Sequence, residues 1–406
     1  MAVATAVDSR TERQSPLVFL TVVYVLTVLL IGPNIPTPLY PIYRHDFRFS
    51  ALTITLIYAT YAGSLIPSLV LFGPLSDAVG RRRVLLTSMA FAAAGAVLLA
   101  SAQGTGWLFA GRILQGVGIG AGTGAASAAL REAEPHDNQS RAAIASTAAM
   151  VGGSAIGPLL AGVLVQYAPG PRVLSYVVYL VLLAVGVLGA WRWSETVPEG
   201  SWTPRRPRIP AEMRGRFATA GATAFLVWAV TALFLALIPS FMASEVHTSN
   251  AALAGMVVTL MLGTSAFVQL SGRGLATLHA EIAGLLITVL GLIALNVAGS
   301  VGSIVPLLIA AVAAGAGQGL AFLGAAKDVN LHAPPARLGE VMSSFYVVVY
   351  AGVGIPIIAV GLLARSIDLF TAVRYFSVVV GVGCLLVALA LRVRAPGRAS
   401  GAAVSS

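Results

Sequence analysis

The chain has 406 residues, of which 57% are hydrophobic and only 10% charged, with a mean hydropathy of +0.88. Soluble domains run nearer a quarter charged, so a soluble chain of this make-up could not cover its own surface, and membrane-spanning segments are expected instead. The net charge of +10 does not argue for a nucleic-acid partner, because the 25 Lys and Arg are scattered, mostly in short gaps between apolar runs. A single cysteine, Cys384, excludes an intrachain disulfide and a Cys-cluster metal centre, and the five histidines form no His-x-x-x-His pair.

About 20 apolar residues are needed to cross ~30 Å of hydrocarbon. Twelve such runs are predicted, near residues 17–42, 51–72, 84–102, 106–129, 142–167, 172–192, 217–243, 251–270, 281–299, 303–326, 340–364 and 369–391. The first is read as a retained span rather than a cleaved signal peptide. Pro198, Pro204, Pro207 and Pro210 mark residues 194–216 as a linker. The predicted organisation is an all-α membrane protein: a six-helix bundle over 1–193, a cytoplasmic linker over 194–216, a second six-helix bundle over 217–392, and a cytoplasmic tail over 393–406. With the N-terminus in the cytoplasm, Arg44, Arg48, Arg172, Arg365 and Arg374 fall outside and Arg112 falls within a span. Every other Lys and Arg is then cytoplasmic, as the positive-inside rule requires, with both termini inside and the plasma (inner) membrane as the expected location.

In chain order, span one carries Pro33, Pro36, Pro38 and Pro41, too many prolines for a regular helix. Broken backbone inside a membrane is tolerated where protein or a cavity satisfies it, so Asn34, Thr37 and Tyr40 are candidate cavity residues, joined by Tyr58 and Tyr61 of span two. The loop after span two reads Gly73-Pro74-Leu75-Ser76-Asp77-Ala78-Val79-Gly80-Arg81-Arg82-Arg83. Its glycines permit a tight turn, and Asp77 can cap a helix or pair with a base. Span four places Arg112 inside the membrane, followed by Gln115 and Gly116. A charge at mid-helix costs at least ~2.5–3.5 kcal/mol, so Arg112 must face a cavity or a partner. It is read either as a group beside the cavity or as a structural arginine bonded to backbone carbonyls of another span.

Span five holds Gly153, Gly157, Pro158 and Gly162, which suit close helix packing with a bend. In the second half, Trp228 and Phe234 of span seven, Gln318 of span ten, and Tyr346 and Tyr350 of span eleven complete a candidate lining. A lining of aromatics with a few hydrogen-bonding groups fits a small amphipathic organic ligand. The halves resemble one another at an offset of 198 residues, which brings Pro158 onto Pro356 and Ser146 onto Ser344. Two six-span repeats with a site between them is a transporter plan. No acidic residue is expected in the middle of a span, and Asp46 and Asp328 are the nearest proton-carrier candidates.

These motifs resemble those of the major facilitator superfamily. The loop over 73–83 is similar to Gly-x-Leu-Ala-Asp-Arg-x-Gly-Arg-Lys, with Ser76 for Ala and Ala78 for the first base. Residues 112–118 are similar to Arg-x-x-Gln-Gly-x-Gly, and residues 153–162 resemble the Gly-x-x-x-Gly-Pro-x-x-Gly-Gly signature of the drug:proton antiporter branch, departing at Ala161. The resemblance implies a conformational latch at Gly73, Asp77, Gly80, Arg81 and Arg83, coupling at Arg112, Gln115 and Gly116, and a hinge at Gly153, Gly157, Pro158 and Gly162. The matching loop of the second half, 271–279, keeps Arg273 but lacks the aspartate.

The expected function is alternating-access transport, a proton-driven efflux of small hydrophobic or amphipathic compounds. The alternative is a facilitator or importer of a small organic anion with Arg112 as counter-charge. No cofactor or metal is expected beyond the proton gradient, and the resemblance implies a monomer. The expected partners are a small-molecule substrate and the lipid bilayer, with no nucleic acid. An enzyme is disfavoured because no span clusters His, Cys or paired acids, and a primary pump because no Gly-x-x-x-x-Gly-Lys-[Ser/Thr] loop is present. A channel is disfavoured by the two-half repeat.

Overall fold

The computed structural model describes residues 15–72, 75–193 and 208–394, and within them twelve helices are long and apolar enough to cross a membrane. Spans one to six are Pro16–Phe47, Ala51–Phe72, Arg81–Ala100, Thr105–Ala133, Gln139–Tyr167 and Pro171–Trp191. Spans seven to twelve are Ala211–Glu245, Ala251–Gly274, Thr277–Val301, Ile304–His332, Leu338–Leu363 and Leu369–Arg394. The observed helices outrun the apolar stretches because a helix need not stop where hydropathy falls. Span nine begins at Thr277 rather than 281, and that shift matters below. The expected linker over 194–216 and latch residue Gly73 fall wholly or partly outside the described residues.

Local chemistry sets the ends. Asn138 and Asn250 cap spans five and eight by accepting from the amides of Arg141 (3.0 Å) and Leu253 (2.9 Å). Gly80 starts span three with φ of 103°, a conformation that favours glycine. Span one breaks where expected: regular helix over Pro16–Ile31, 3-10 turns at Gly32–Asn34 and Thr37–Leu39, then helix again over Tyr40–Phe47.

Spans one, four, seven and ten are the best enclosed, whereas six, nine and twelve turn apolar side chains outward, among them Val181, Leu188, Leu290, Ile293, Val379 and Leu386. An apolar exterior of this extent suits lipid rather than water. Cys384 of span twelve is buried. Between the halves, span two packs on span eleven and span five on span eight. One apolar core runs through both halves. A second cluster, built around Phe217, Ala224, Val329, Val341 and Phe345 of spans seven, ten and eleven, contains second-half residues alone and lies at the end carrying the basic loops. The halves therefore share a core at one end and keep separate packing at the basic end.

Candidate functional site

Arg112 has no exposed surface, and the break in span one explains why it can be there. Residue 36 is proline, so the Gly32 carbonyl has no amide four residues on; it accepts instead from the Ile35 amide (3.3 Å) and from Gln115 Nε2 (3.2 Å). The neighbouring Pro33 carbonyl accepts from Arg112 Nη1 at 2.6 Å. Arg112 also donates to Gln115 Oε1 (3.0 Å) and to the Tyr40 hydroxyl (2.8 Å). Its guanidinium carbon lies 6.0, 5.6 and 5.2 Å from the ring centres of Tyr40, Tyr58 and Tyr61. Three ring faces offset part of the desolvation of the charge, about 0.5–2 kcal/mol each. No carboxylate pairs with Arg112 among the described residues, and its Nε has no hydrogen-bond partner. Gly116 presses on span two, where a Cβ would meet the Tyr61 carbonyl and the Ser64 hydroxyl.

The other lining candidates divide by position. Spans two and eleven pack together, and Tyr350 of span eleven faces the same region as Tyr58 and Tyr61, the rings beside Arg112. Trp228 packs edge-on against Phe322 at 5.6 Å, Phe322 stacks on Phe345 at 6.0 Å, and Phe345 meets Tyr346 at 6.1 Å. Tyr61, Trp228, Tyr346 and Tyr350 keep partial exposure. Asn34, Thr37, Tyr40, Tyr58, Phe234 and Gln318 are buried in packing instead. Asn34 donates to its own helix at the Leu30 carbonyl (3.2 Å), and Gln318 accepts from the Ser265 hydroxyl of span eight.

Span five forms a joint between three helices. A Cβ on Gly153 would meet the Thr27 carbonyl, and one on Gly157 the Ile31 carbonyl, both of span one. A Cβ on Gly162 would meet the Ala251 carbonyl of span eight, and one on Gly255 would meet the Pro158 carbonyl in return. Pro158 interrupts the bond ladder, and the nearby Ala155 carbonyl accepts from Thr259 Oγ1 of span eight at 2.7 Å. Gln166 Oε1 accepts from the Ala251 amide at 2.9 Å. The links of Gly162 and Gln166 with the start of span eight lie at the end away from the basic loops. Beside them a cleft of about 350 Å³ is lined by Pro38, His45, Gln166, Pro239 and Asn250 among others.

At the basic end Arg81, Arg82 and Glu134 have partners within the first half. Arg81 donates to Asp77, to Ser76 Oγ (2.6 Å) and to Glu132 Oε1 of span four (3.1 Å). Arg82 donates to the Ala190 and Trp191 carbonyls, both at 3.1 Å, tying span three to span six. In the loop after span four, burial disfavours ionisation of the Glu134 carboxyl, but the amides of Asn138 (2.6 Å) and His136 (2.8 Å) outweigh it and hold the group below its ordinary value.

Among the described residues no acid lies in the middle of a span, but Glu281 is buried within the first turns of one. Because span nine begins at Thr277, this residue occupies its second turn, 2% exposed, where Oε1 accepts from Thr223 Oγ1 of span seven at 2.6 Å. The sequence signal was available: an acid between His279 and a long apolar run sits where helix continuation buries it. Asp46, by contrast, pairs with Arg172 (2.7 Å) and His45 at the far end of span one, and Asp328 pairs with Arg216 (3.3 Å) and His332 (3.2 Å).

A sequence profile of the Major Facilitator Superfamily matches residues 17–279, well over half of the chain. The chain belongs to the Major Facilitator Superfamily. It is a multi-pass membrane transporter, a transporter rather than an enzyme, and it resembles proteins named for drug resistance and multidrug efflux. It is 34% identical over 187 residues to a chloramphenicol resistance protein of Pseudomonas aeruginosa, covering 42% of this chain and 43% of that one. It is 32% identical over 191 residues to the multidrug efflux pump LfrA of Mycolicibacterium smegmatis, covering 47% and 36%. The matches thus span less than half the length of these relatives. Among solved structures, the nucleoside transporter NupG superposes with a TM-score of 0.74 at 12% identity, covering 93% of this chain and 99% of that one. An inward-facing, unoccupied bacterial homologue of the human lysosomal transporter Spinster gives 0.73 at 15%, covering 93% and 98%. At these identities the likeness shows the facilitator fold alone.

Proposed function

We propose that this transporter exports small hydrophobic or amphipathic compounds across the plasma (inner) membrane by alternating access, driven by the proton gradient, as a monomer with both termini in the cytoplasm. The observation that carries the reading is the joint of span five. Its Gly-Pro stretch supplies the contacts with span eight that hold the halves together at the end away from the basic loops, while the basic end keeps two separate packings. With the basic loops cytoplasmic, this is an inward-facing arrangement, in which substrate enters from the cytoplasm. The names of the curated relatives, chloramphenicol resistance and multidrug efflux, support the same direction. The partly exposed aromatics Tyr61, Trp228, Tyr346 and Tyr350 supply flat apolar surface with hydrogen-bonding tips, the surface an amphipathic drug needs.

The test is transport in proteoliposomes with an imposed pH gradient, chloramphenicol as substrate and a trapped pH dye. Gradient-dependent flux of chloramphenicol with counterflow of protons supports the reading. Flux that ignores the gradient removes proton coupling from it. A second reading, uptake or facilitation of a small organic anion, draws on one observation: Arg112 is a buried charge without a carboxylate partner among the described residues. Competition by benzoate-like anions that disappears in Arg112→Ala would favour it.

A further inference from the structure

We propose that Glu281, held by Thr223, is the proton-binding site through which this transporter couples to the proton gradient; the inference rests on the proton-driven reading above. Glu281 lies off the aromatic site, inside the second bundle, where spans seven, ten and twelve pack on span nine. Gly324 of span ten lets the helices close over it, since a Cβ there would meet the Glu281 amide nitrogen at 2.8 Å and its Cβ at 2.9 Å. Its hydrogen-bond partner, Thr223, is neutral and fully buried.

The charges on the surrounding elements are engaged elsewhere. From span ten, Asp328 acts on Glu281 as a like charge, and it is itself held by Arg216 and His332. Lys327 donates to the Arg273 and Leu275 carbonyls (2.5 and 3.4 Å). From span twelve, Arg394 donates to the Gly215 carbonyl (2.5 Å) and Thr219 Oγ1 (3.0 Å), and Arg392 is exposed, as is His279 on span nine itself. Among the described residues no cation pairs with Glu281. The free amides at the start of span nine favour an anion by only about 0.3–1 kcal/mol, whereas an unpaired buried carboxylate costs several kcal/mol. The neutral acid is the form this packing accommodates.

The route to water is on the same helix. Thr219 sits one turn before Thr223 and accepts from Arg394 at the basic surface, so the polar side of span seven points from Glu281 toward that end. The proton passes from the carboxyl oxygen to water at that end, leaving a carboxylate, and the O–H bond forms again when water returns a proton.

Two measurements test this. Infrared difference spectra of the purified protein between acid and alkaline pH should show a protonated-carboxyl band that is absent in Glu281→Gln. In proteoliposomes, Glu281→Gln should lose gradient-driven ethidium transport by at least about tenfold while gradient-free ethidium exchange stays within about twofold of wild type. Thr223→Val, which keeps the carboxyl but removes its partner, should move the pH midpoint of gradient-driven transport and retain the maximal rate. No such band in the wild type, an unmoved midpoint in Thr223→Val, or undiminished gradient-driven flux in Glu281→Gln would overturn the proposal. Wild-type ethidium flux indifferent to the gradient would instead sink the proton-driven reading, and with the band present it would leave Glu281 a proton site without a coupling task, which also overturns the proposal.

Discussion

An arginine with no surface and, among the described residues, no carboxylate partner survives in a protein because something else needs its donors, and at Arg112 the need comes from the Pro33 carbonyl in the broken turn of span one, beside the Gly32 carbonyl that Gln115 serves. Arg112→Ala is therefore expected to cost stability of about 1–3 kcal/mol from unmet carbonyls, read as a lower melting temperature in detergent. If the residue serves coupling, neutral ligands still bind and gradient-driven flux vanishes. If it is a counter-charge, only anion binding is lost, and Arg112→Lys restores part of it as a point charge without the fork. Flux unchanged in every respect would leave it a packing residue. Asp77 belongs to a different device. Its reversal to lysine breaks the pairing with Arg81, and the expected result is an inserted protein with almost no transport but substrate affinity within about tenfold of wild type, roughly 1.4 kcal/mol. Loss of binding with folding intact would move Asp77 into the site. Glu134 supplies a pH test. Its carboxyl is held low, so its stabilisation is present above the ordinary carboxylate range and fades as pH falls through the lowered value. Glu134→Gln should flatten the acid limb of a stability-against-pH curve, and an unchanged limb would show that the loop does not depend on the charge.

At the level of the element, span five works through what its glycines lack. The contacts of Gly162 and Gly255 with backbone on the facing helix leave no room for a methyl group. Gly255→Ala should force the far end apart and shift the population away from the inward-facing form, as should Thr259→Val, which removes the bond to the Ala155 carbonyl. A cysteine placed at Gln166 reports this as faster labelling by a membrane-impermeant maleimide, with little background because Cys384 is buried. Equal labelling rates in the parent and Gly255→Ala would show that the joint is not what closes this end. The break in span one, the joint of span five and the turn at Gly80 were all legible in the sequence, because Pro and Gly act on their own backbone wherever they sit. The partners were not: that Gly153 and Gly157 press on span one while Gly162 meets span eight depends on packing between helices far apart in the chain. Glu281 escaped for a related reason. Hydropathy marks where apolar residues start, and the helix that buries this carboxyl starts a turn earlier.

Taken as a whole molecule, the twelve spans followed from arithmetic on apolar runs, whereas which end is joined did not, since on the alternating-access proposal the same sequence folds into both closed forms. What separates the two forms is a set of small contacts between halves that are each internally cohesive. Here the bonds from span four to span one acquire a mechanical meaning. A helix interrupted by four prolines is the most compliant strut in its bundle, and left alone it would flex under load and dissipate the motion that the rest of the bundle transmits. Arg112 and Gln115 fasten it at the break, across to the neighbouring strut, at the height where it is weakest. On the alternating-access proposal the first bundle then tilts as a solid body, so that a displacement at its basic end is delivered to the joint at the other, and the lever arm is the length of the bundle.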